Sequence, residues 1–375
     1  MPTASRLKVL MTSTSYPATA QDWRGRFIAS MAASVGQRPE LEVSLWAPPG
    51  DLAPQVRSAT TQDDADWLMR LSEQGGIAQV LRTRKMMALG TVVSLLARLA
   101  KAYRSQQPDV VHVNWLQNAL PMWGTRTPVL ITVLGTDFAL LRLPGMKAAL
   151  RSVLRQRRAI LAPNAQWMCP ALTQAFGDLA EVRLTPFGVE DAWFNLQRTP
   201  AKDGARRWLA ITRLTAPKLG DLFNWGEGLF DAQRQLHLLG PMQEQIDIPN
   251  WVQYHGPTNP EALLRDWFPS ATGLITLSRH DEGRPQVMLE AMAAGLPVLA
   301  SQLPAHCDMV QHRETGWIAE NAHSVAEGLA WLELPTHNQR TGKAASEFVR
   351  ATVGTWADCA ERYARAYRDL VAPSQ

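Results

Sequence analysis

Short apolar runs alternate with longer helical patterns along this chain. Lys8 to Thr12, Val110 to Val113, Val129 to Val133, Trp208 to Ile211 and Val298 to Ala300 are nearly continuous hydrophobic stretches flanked by turn formers. Such runs mark parallel strands buried on both faces. Between them lie segments of helical period. Val287, Met288, Leu289, Ala291, Met292 and Ala294 make one helix that is apolar on most sides, and Thr341 to Leu370 reads as an amphipathic helix anchored by Trp356, Tyr363 and Tyr367. The alternation predicts an α/β protein of two doubly wound, Rossmann-like halves. A chain of 375 residues is also too long for a single core. The hinge is expected between Phe187 and Arg207, where Gly, Pro and charged residues cluster without periodicity. This gives domains at 1–195 and 196–350, with a terminal segment at 351–375.

The stretch Asp281 to Val298 carries the most chemistry. Gly283 allows a tight turn, and Pro285 suits a first helical position because its missing N–H is no loss there. Gly295 is a natural stop before the strand at Val298. A loop feeding a helix start presents free backbone N–H groups and a positive dipole end, which suits phosphate. Two carboxylates, Glu282 and Glu290, sit in this apolar setting. Beside an anion site they make sense as acceptors of hydrogen bonds from sugar hydroxyls. Upstream, Arg213 and Lys218 follow the Trp208 strand. A planar fork of donors and a compact point charge at that spacing suit a diphosphate.

Taken whole, Glu282-Gly283-Arg284 through Glu290-Ala291-Met292-Ala293-Ala294-Gly295-Leu296-Pro297-Val298 resembles the Glu-x7-Glu signature of retaining GT-B glycosyltransferases of the family 4-like group. Arg284 stands in the place of the family's aromatic residue. Arg213-Leu214 with Lys218 and Gly220 resembles its R-L-x-x-x-K-G segment, although Leu219 separates the Lys from the Gly. Pro108 to Trp115 resembles its P-D-V-V-H strand, and Leu134-Gly135-Thr136-Asp137 its H-G-T-D turn with Leu134 in place of histidine. Gly25 is the candidate for the glycine that lets the backbone approach the donor diphosphate; the alternative is a simple helix-entry glycine. The resemblance implies the GT-B architecture, two Rossmann-like domains facing a central cleft, an N-terminal acceptor domain, a C-terminal donor domain and a last helix returning to the first domain. It also implies transfer of a sugar from a nucleotide-diphosphate donor to a hydroxyl with retained configuration. The donor is expected on Gly25, Gly135, Thr136, Asp137, Arg213, Lys218, Glu282, Gly283, Arg284, Pro285, Gln286, Val287 and Glu290. Arg213, Lys218 and Glu282 are the catalytic candidates. Arg24, Asn114 and Trp115 are the acceptor-side candidates. No metal or other cofactor is expected. A nucleotide-sugar epimerase and a non-catalytic sugar-nucleotide-binding scaffold are the alternatives.

Charge and cysteine content place the chain further. Positive charge is concentrated in residues 1–188, and the remainder is net acidic. Two basic, amphipathic stretches, Arg82 to Lys101 and Leu141 to Arg158, favour peripheral contact with anionic lipid. Nucleic acid is a poorer partner, since no reader motif accompanies the charge. Cys169, Cys307 and Cys359 are isolated, as expected of buried thiols in a reducing cytosol. No signal-peptide pattern and no membrane-spanning run is read at the sequence level. The expected place of work is therefore the cytoplasm, at the inner face of the membrane. Trp23, Trp115 and Trp123 fall in or near loops, where aromatic faces can stack on sugar rings or serve as core.

Overall fold

The apolar runs become the strands of two wholly parallel sheets. The computed structural model describes residues 6–373 apart from 20–21, 78–84, 136, 200 and 202. Within these the chain forms two units, 1–188 with 356–375 and 189–355. The divisions fall at 188/189 and 355/356, where the sequence reading put 195/196 and 350/351.

The first unit holds β1 (Leu7–Thr12), β2 (Leu41–Trp46), β3 (Val56–Ser58), β4 (Val110–Asn114), β5 (Val129–Val133), β6 (Ala159–Pro163) and β7 (Glu181–Val182), in the order β3-β2-β1-β4-β5-β6-β7. Side chains alternate between two cores, as strand geometry requires. Val110 faces one side with α1 (Arg26–Gly36), and Val111 and Val113 face the other with α2 (Lys85–Ser105) and α3 (Met146–Leu154).

The second unit holds β8 (Arg206–Ile211), β9 (Arg234–Leu239), β10 (Val252–Tyr254), β11 (Gly273–Thr276), β12 (Val298–Ser301) and β13 (Gly316–Ala319), in the order β10-β9-β8-β11-β12-β13. Helix α4 (Gln286–Ala293) packs with Leu209 and Val298 on one face, and α5 (Ala322–Leu332) with Trp208 and Leu299 on the other. Strand order reverses between β1 and β4 in one unit and between β8 and β11 in the other. Helices leave on opposite sides at such a point, so a crevice opens beyond the carboxyl ends of the strands.

The expected single helix at 341–370 is two. Helix α6 (Pro335–Thr352) belongs to the second unit and α7 (Trp356–Val371) to the first. The break falls at Gly354, whose φ of 71° is left-handed and cannot continue a helix. Helix α7 is fastened to the first sheet by a buried polar chain. His112 Nδ1 lies 2.6 Å from Tyr367 Oη, its Nε2 lies 2.8 Å from Thr132 Oγ1, and Thr132 Oγ1 lies 3.1 Å from Tyr363 Oη. Burial pulls the His112 pKa down to about 3, so the imidazole is neutral at this seam. Among the described residues no helix is long and apolar enough to cross a membrane. None of the three cysteines is in a disulfide; Cys359 is buried, Cys169 half-buried, and Cys307 exposed, contrary to the expectation of buried thiols throughout.

Candidate active site

In the second unit the chain leaves β8 through Thr212 and Arg213 and enters a short helix at Ala216–Leu219 that carries Lys218. The segment is pinned to the loop after β11. Arg279 N donates to Pro217 O at 2.9 Å, Asp221 N donates to Leu277 O at 2.9 Å, and Arg279 Nε pairs with Asp221 at 2.7 Å. Gly220 makes this approach possible. Its φ is 56°, and a Cβ there would fall 2.1 Å from the Leu277 carbonyl oxygen. These contacts carry the Glu282 loop to Lys218, whose Nζ lies 2.5 Å from Glu282 Oε1. Burial holds the Lys218 pKa below the ordinary lysine value; Glu282 opposes that shift and the Arg213 charge adds to it. Thus Arg213, Lys218 and Glu282 share one electrostatic neighbourhood at the switch point.

Helix α4 begins beside them. Pro285 is its N-cap, with φ −64° and ψ 117°, one position before the first helical residue expected for it. The start of α4 lies beyond the carboxyl end of β11, where the positive end of the helix dipole favours an anion. Gly283 and Pro285 are buried, while Gln286, Val287 and Glu290 are half-buried. Arg284 is turned to Asp308 in a 2.8 Å ion pair whose partners are both almost fully buried.

One residue given no role by sequence reasoning belongs to this group. His306, fully buried, follows β12, and its Nδ1 lies 2.9 Å from Ser301 O. Burial lowers its pKa, while Glu282 and Lys218 act on it electrostatically from nearby. No motif signals it; only the folding of the β12 loop onto the Glu282 loop brings it in.

The first-unit candidates gather at the carboxyl ends of β1, β4 and β5, but most of their polar atoms hold the loops together. Asn114 is buried and donates to Thr12 O at 3.0 Å. Trp115 adopts a left-handed φ of 69°, uncommon for a bulky residue, and meets the Phe27 ring edge-on at 6.2 Å. Asp137 accepts from Leu116 N at 2.9 Å and from Leu134 N at 2.8 Å, and burial raises its pKa to about 6 despite those bonds. Gly135 has a φ of 94° in the same turn, and Thr136 lies outside the described residues. Gly25 is the left-handed N-cap of α1; a Cβ would fall 2.6 Å from the Ser15 carbonyl carbon. A side chain at this position would thus meet the chain's own backbone at the entry to the helix. Arg24 pairs with Asp22 at 3.0 Å and donates to Ser72 O at 3.1 Å.

The family model "Glycosyl transferases group 1" matches residues 226–333, and the model "Glycosyl transferase 4-like" matches residues 69–164. Each half of the chain thus matches a glycosyltransferase model, and the fold is the GT-B fold. Among curated proteins this GT-B chain is similar to the amylovoran biosynthesis glycosyltransferase AmsK of Erwinia amylovora, 26% identical over 43% of the chain and 44% of the relative. It is also similar to an uncharacterized glycosyltransferase of Haemophilus influenzae, 26% identical over 35% of each. The chain thus spans less than half the length of the curated relatives it matches. Its fold is that of the sucrose-phosphate synthase of Thermosynechococcus elongatus, with a TM-score of 0.74 at 18% identity over 98% of this chain and 100% of that one. Anabaena HepE in complex with UDP-glucose gives a TM-score of 0.65 at 15% identity over 97% and 100%. Both sequence models include parts of the site: the first contains Glu282 and Glu290, the second Asn114, Trp115, Gly135 and Asp137. Arg213 and Lys218 lie outside both.

Proposed function

We propose that this GT-B chain transfers a sugar, a hexose or deoxyhexose, from a nucleoside-diphosphate donor to a hydroxyl of a glycan or lipid-linked acceptor, with retention at the anomeric carbon. The observation that carries the reading is the convergence of Arg213, Lys218 and Glu282 beside the start of α4 at the β8/β11 switch point. Two cations and a helix start suit a diphosphate, and the carboxylate suits the sugar attached to it. The likeness in fold to a protein holding UDP-glucose supports a nucleotide-sugar donor, and the amylovoran relative supports a place in polysaccharide synthesis.

In this scheme the anomeric carbon–phosphate oxygen bond breaks as the acceptor oxygen bonds to the same carbon. The acceptor proton passes to the departing phosphate oxygen. Negative charge grows on the diphosphate, so Arg213 and Lys218 contribute more in the transition state than in the ground state. The Lys218–Glu282 pair of the free protein opens on binding, the ammonium turning to phosphate and the carboxylate to a sugar hydroxyl. Glu290 accepts from the ribose. The first unit takes the acceptor, and its surplus of basic residues meets acidic lipid headgroups. Incubation with a panel of UDP-, GDP- and dTDP-sugars and a lipid-linked glycan extract tests the reading. Acceptor-dependent release of diphosphate supports it. Release or isomerisation without acceptor would point instead to hydrolysis or epimerisation.

A further inference from the structure

His306 carries a bare acceptor that nothing in the scheme above uses. Its tautomer follows from its neighbours. Nδ1 lies 2.9 Å from the Ser301 carbonyl oxygen, which can only accept. Nδ1 also lies 3.3 Å from Ser301 Oγ, whose own proton is directed to Ser278 O at 2.7 Å. Nδ1 therefore holds the ring proton. Burial keeps the ring neutral, so Nε2 presents a lone pair. That nitrogen is buried and has no hydrogen-bond partner among the described residues. Buried polar atoms are nearly always paired, and an orphan at a functional site points to a partner that arrives later. The ring sits on the loop that carries Glu282: Ser301 Oγ donates to Ser278 O at 2.7 Å, and Ser278 Oγ donates to Pro217 O, next to Lys218, at 3.3 Å. A bare imidazole nitrogen only accepts, and what satisfies it is a group that brings its own proton. A sugar ring with neighbouring hydroxyls is such a group, and phosphate is not.

We propose that His306 is a specificity-determining residue whose Nε2 accepts a hydrogen bond from a hydroxyl of the transferred sugar, beside Glu282. This rests on the reading of the second unit as a nucleotide-sugar site. It predicts that the donor carries a free hydroxyl at the position facing His306, and that a donor lacking it is discriminated against.

His306→Asn separates the two ring nitrogens. Its amide nitrogen can still donate to Ser301 O, while the Nε2 acceptor is gone. Wild type and variant are titrated calorimetrically with UDP, GDP and dTDP, and with UDP-glucose, GDP-mannose and dTDP-rhamnose. The expected result is a wild type that binds one conjugate more tightly than its bare diphosphate. The variant then loses roughly five- to tenfold in affinity for that conjugate, the worth of one neutral hydrogen bond, and binds the diphosphate as before. Equal conjugate affinities in the two proteins overturn the assignment. So does a parallel loss of diphosphate binding, which would mean that the histidine acts through Lys218 or the fold. A wild type that binds none of the diphosphates rejects the nucleotide-sugar reading itself. Long-range 1H–15N spectra of histidine-labelled wild type give a check that needs no variant to be active. The Nε2 resonance should move with the conjugate and stay in place with the diphosphate; movement with both overturns the proposal.

Discussion

At the scale of single residues, the Lys218–Glu282 pair is the most testable contact. Arg213→Ala or Lys218→Ala removes one charge-assisted contact to the leaving group, about 1.5–3 kcal/mol, and turnover should fall roughly ten- to a hundredfold with little change in melting temperature. Glu282→Gln should shift a pH profile as well as lower transfer. Lys218 already sits below its ordinary pKa because it is buried, and Glu282 is the neighbour holding it up. Without that charge the neutral amine is favoured further, so the alkaline limb of the rate profile should move to lower pH in the variant. An unmoved limb would separate Lys218 from catalysis. Asp137 offers a stability test. Its folded pKa of about 6 exceeds the ordinary aspartate value, so between the two the folded protein holds a proton that the unfolded chain releases. Stability from this group is present below the ordinary value and is lost as pH rises through 6. Urea midpoints of wild type should therefore fall over that window relative to those of Asp137→Asn. The signature from Glu282 to Val298 is legible in sequence because its spacing is local. His306 and the Arg284–Asp308 pair are not, because each depends on a loop from another strand folding over it.

At the scale of elements, the strands were readable because parallel strands buried on both faces are mostly apolar, and β4, β5 and β12 are buried at every position. The break between α6 and α7 was not, because Val353-Gly354-Thr355 interrupts the amphipathic period only briefly, and the two helices serve different units. The seam under α7 should be sensitive. Tyr367→Phe leaves His112 Nδ1 buried without its partner, at a cost of about 1–3 kcal/mol, measurable as a lower melting temperature. The basic stretches need dividing by partner. Arg151 pairs with Asp178, Arg157 is buried against backbone carbonyls, and Arg158 caps the carbonyls of Asp369 and Ala372 at the end of α7. Residues 82–84 lie outside the described residues. Among the described residues of these stretches, Lys101, Arg142, Leu143, Lys147 and Arg155 are exposed, as are Leu89 and Val93 on α2. If this face meets anionic lipid, the chain should sediment with anionic vesicles at low salt and release as salt screens the charges. Replacing Arg142, Lys147 and Arg155 with Gln should weaken capture without altering diphosphate binding. Vesicles ignored even at low salt would leave this face without a lipid role.

At the scale of the whole molecule, each unit has its own pair of cores, and the proposed donor residues Arg213, Lys218, Glu282, Glu290 and His306 all belong to the second. A fragment of residues 189–355 should therefore fold alone and bind the bare diphosphate with an affinity close to that of the full chain, by calorimetry. Loss of binding in a folded fragment would mean that first-unit residues hold the diphosphate too.

The return of α7 to the first unit also sets an order of assembly during synthesis. Domains usually fold as they emerge, the first one first. Here the face of the first sheet that holds Val9, Met11 and Val110 is completed by Trp356, Tyr363, Tyr367 and Leu370, which leave the ribosome after every strand of both sheets. The second unit has every strand of its sheet by Ala319 and its final helix by Thr352. The first unit must therefore wait, with this sheet face covered only in part by α1, until the whole of the second unit and then α7 have been made. A nascent chain stalled before Trp356 should be a chaperone client through residues of the first unit, and emergence of residues 356–375 should end that dependence.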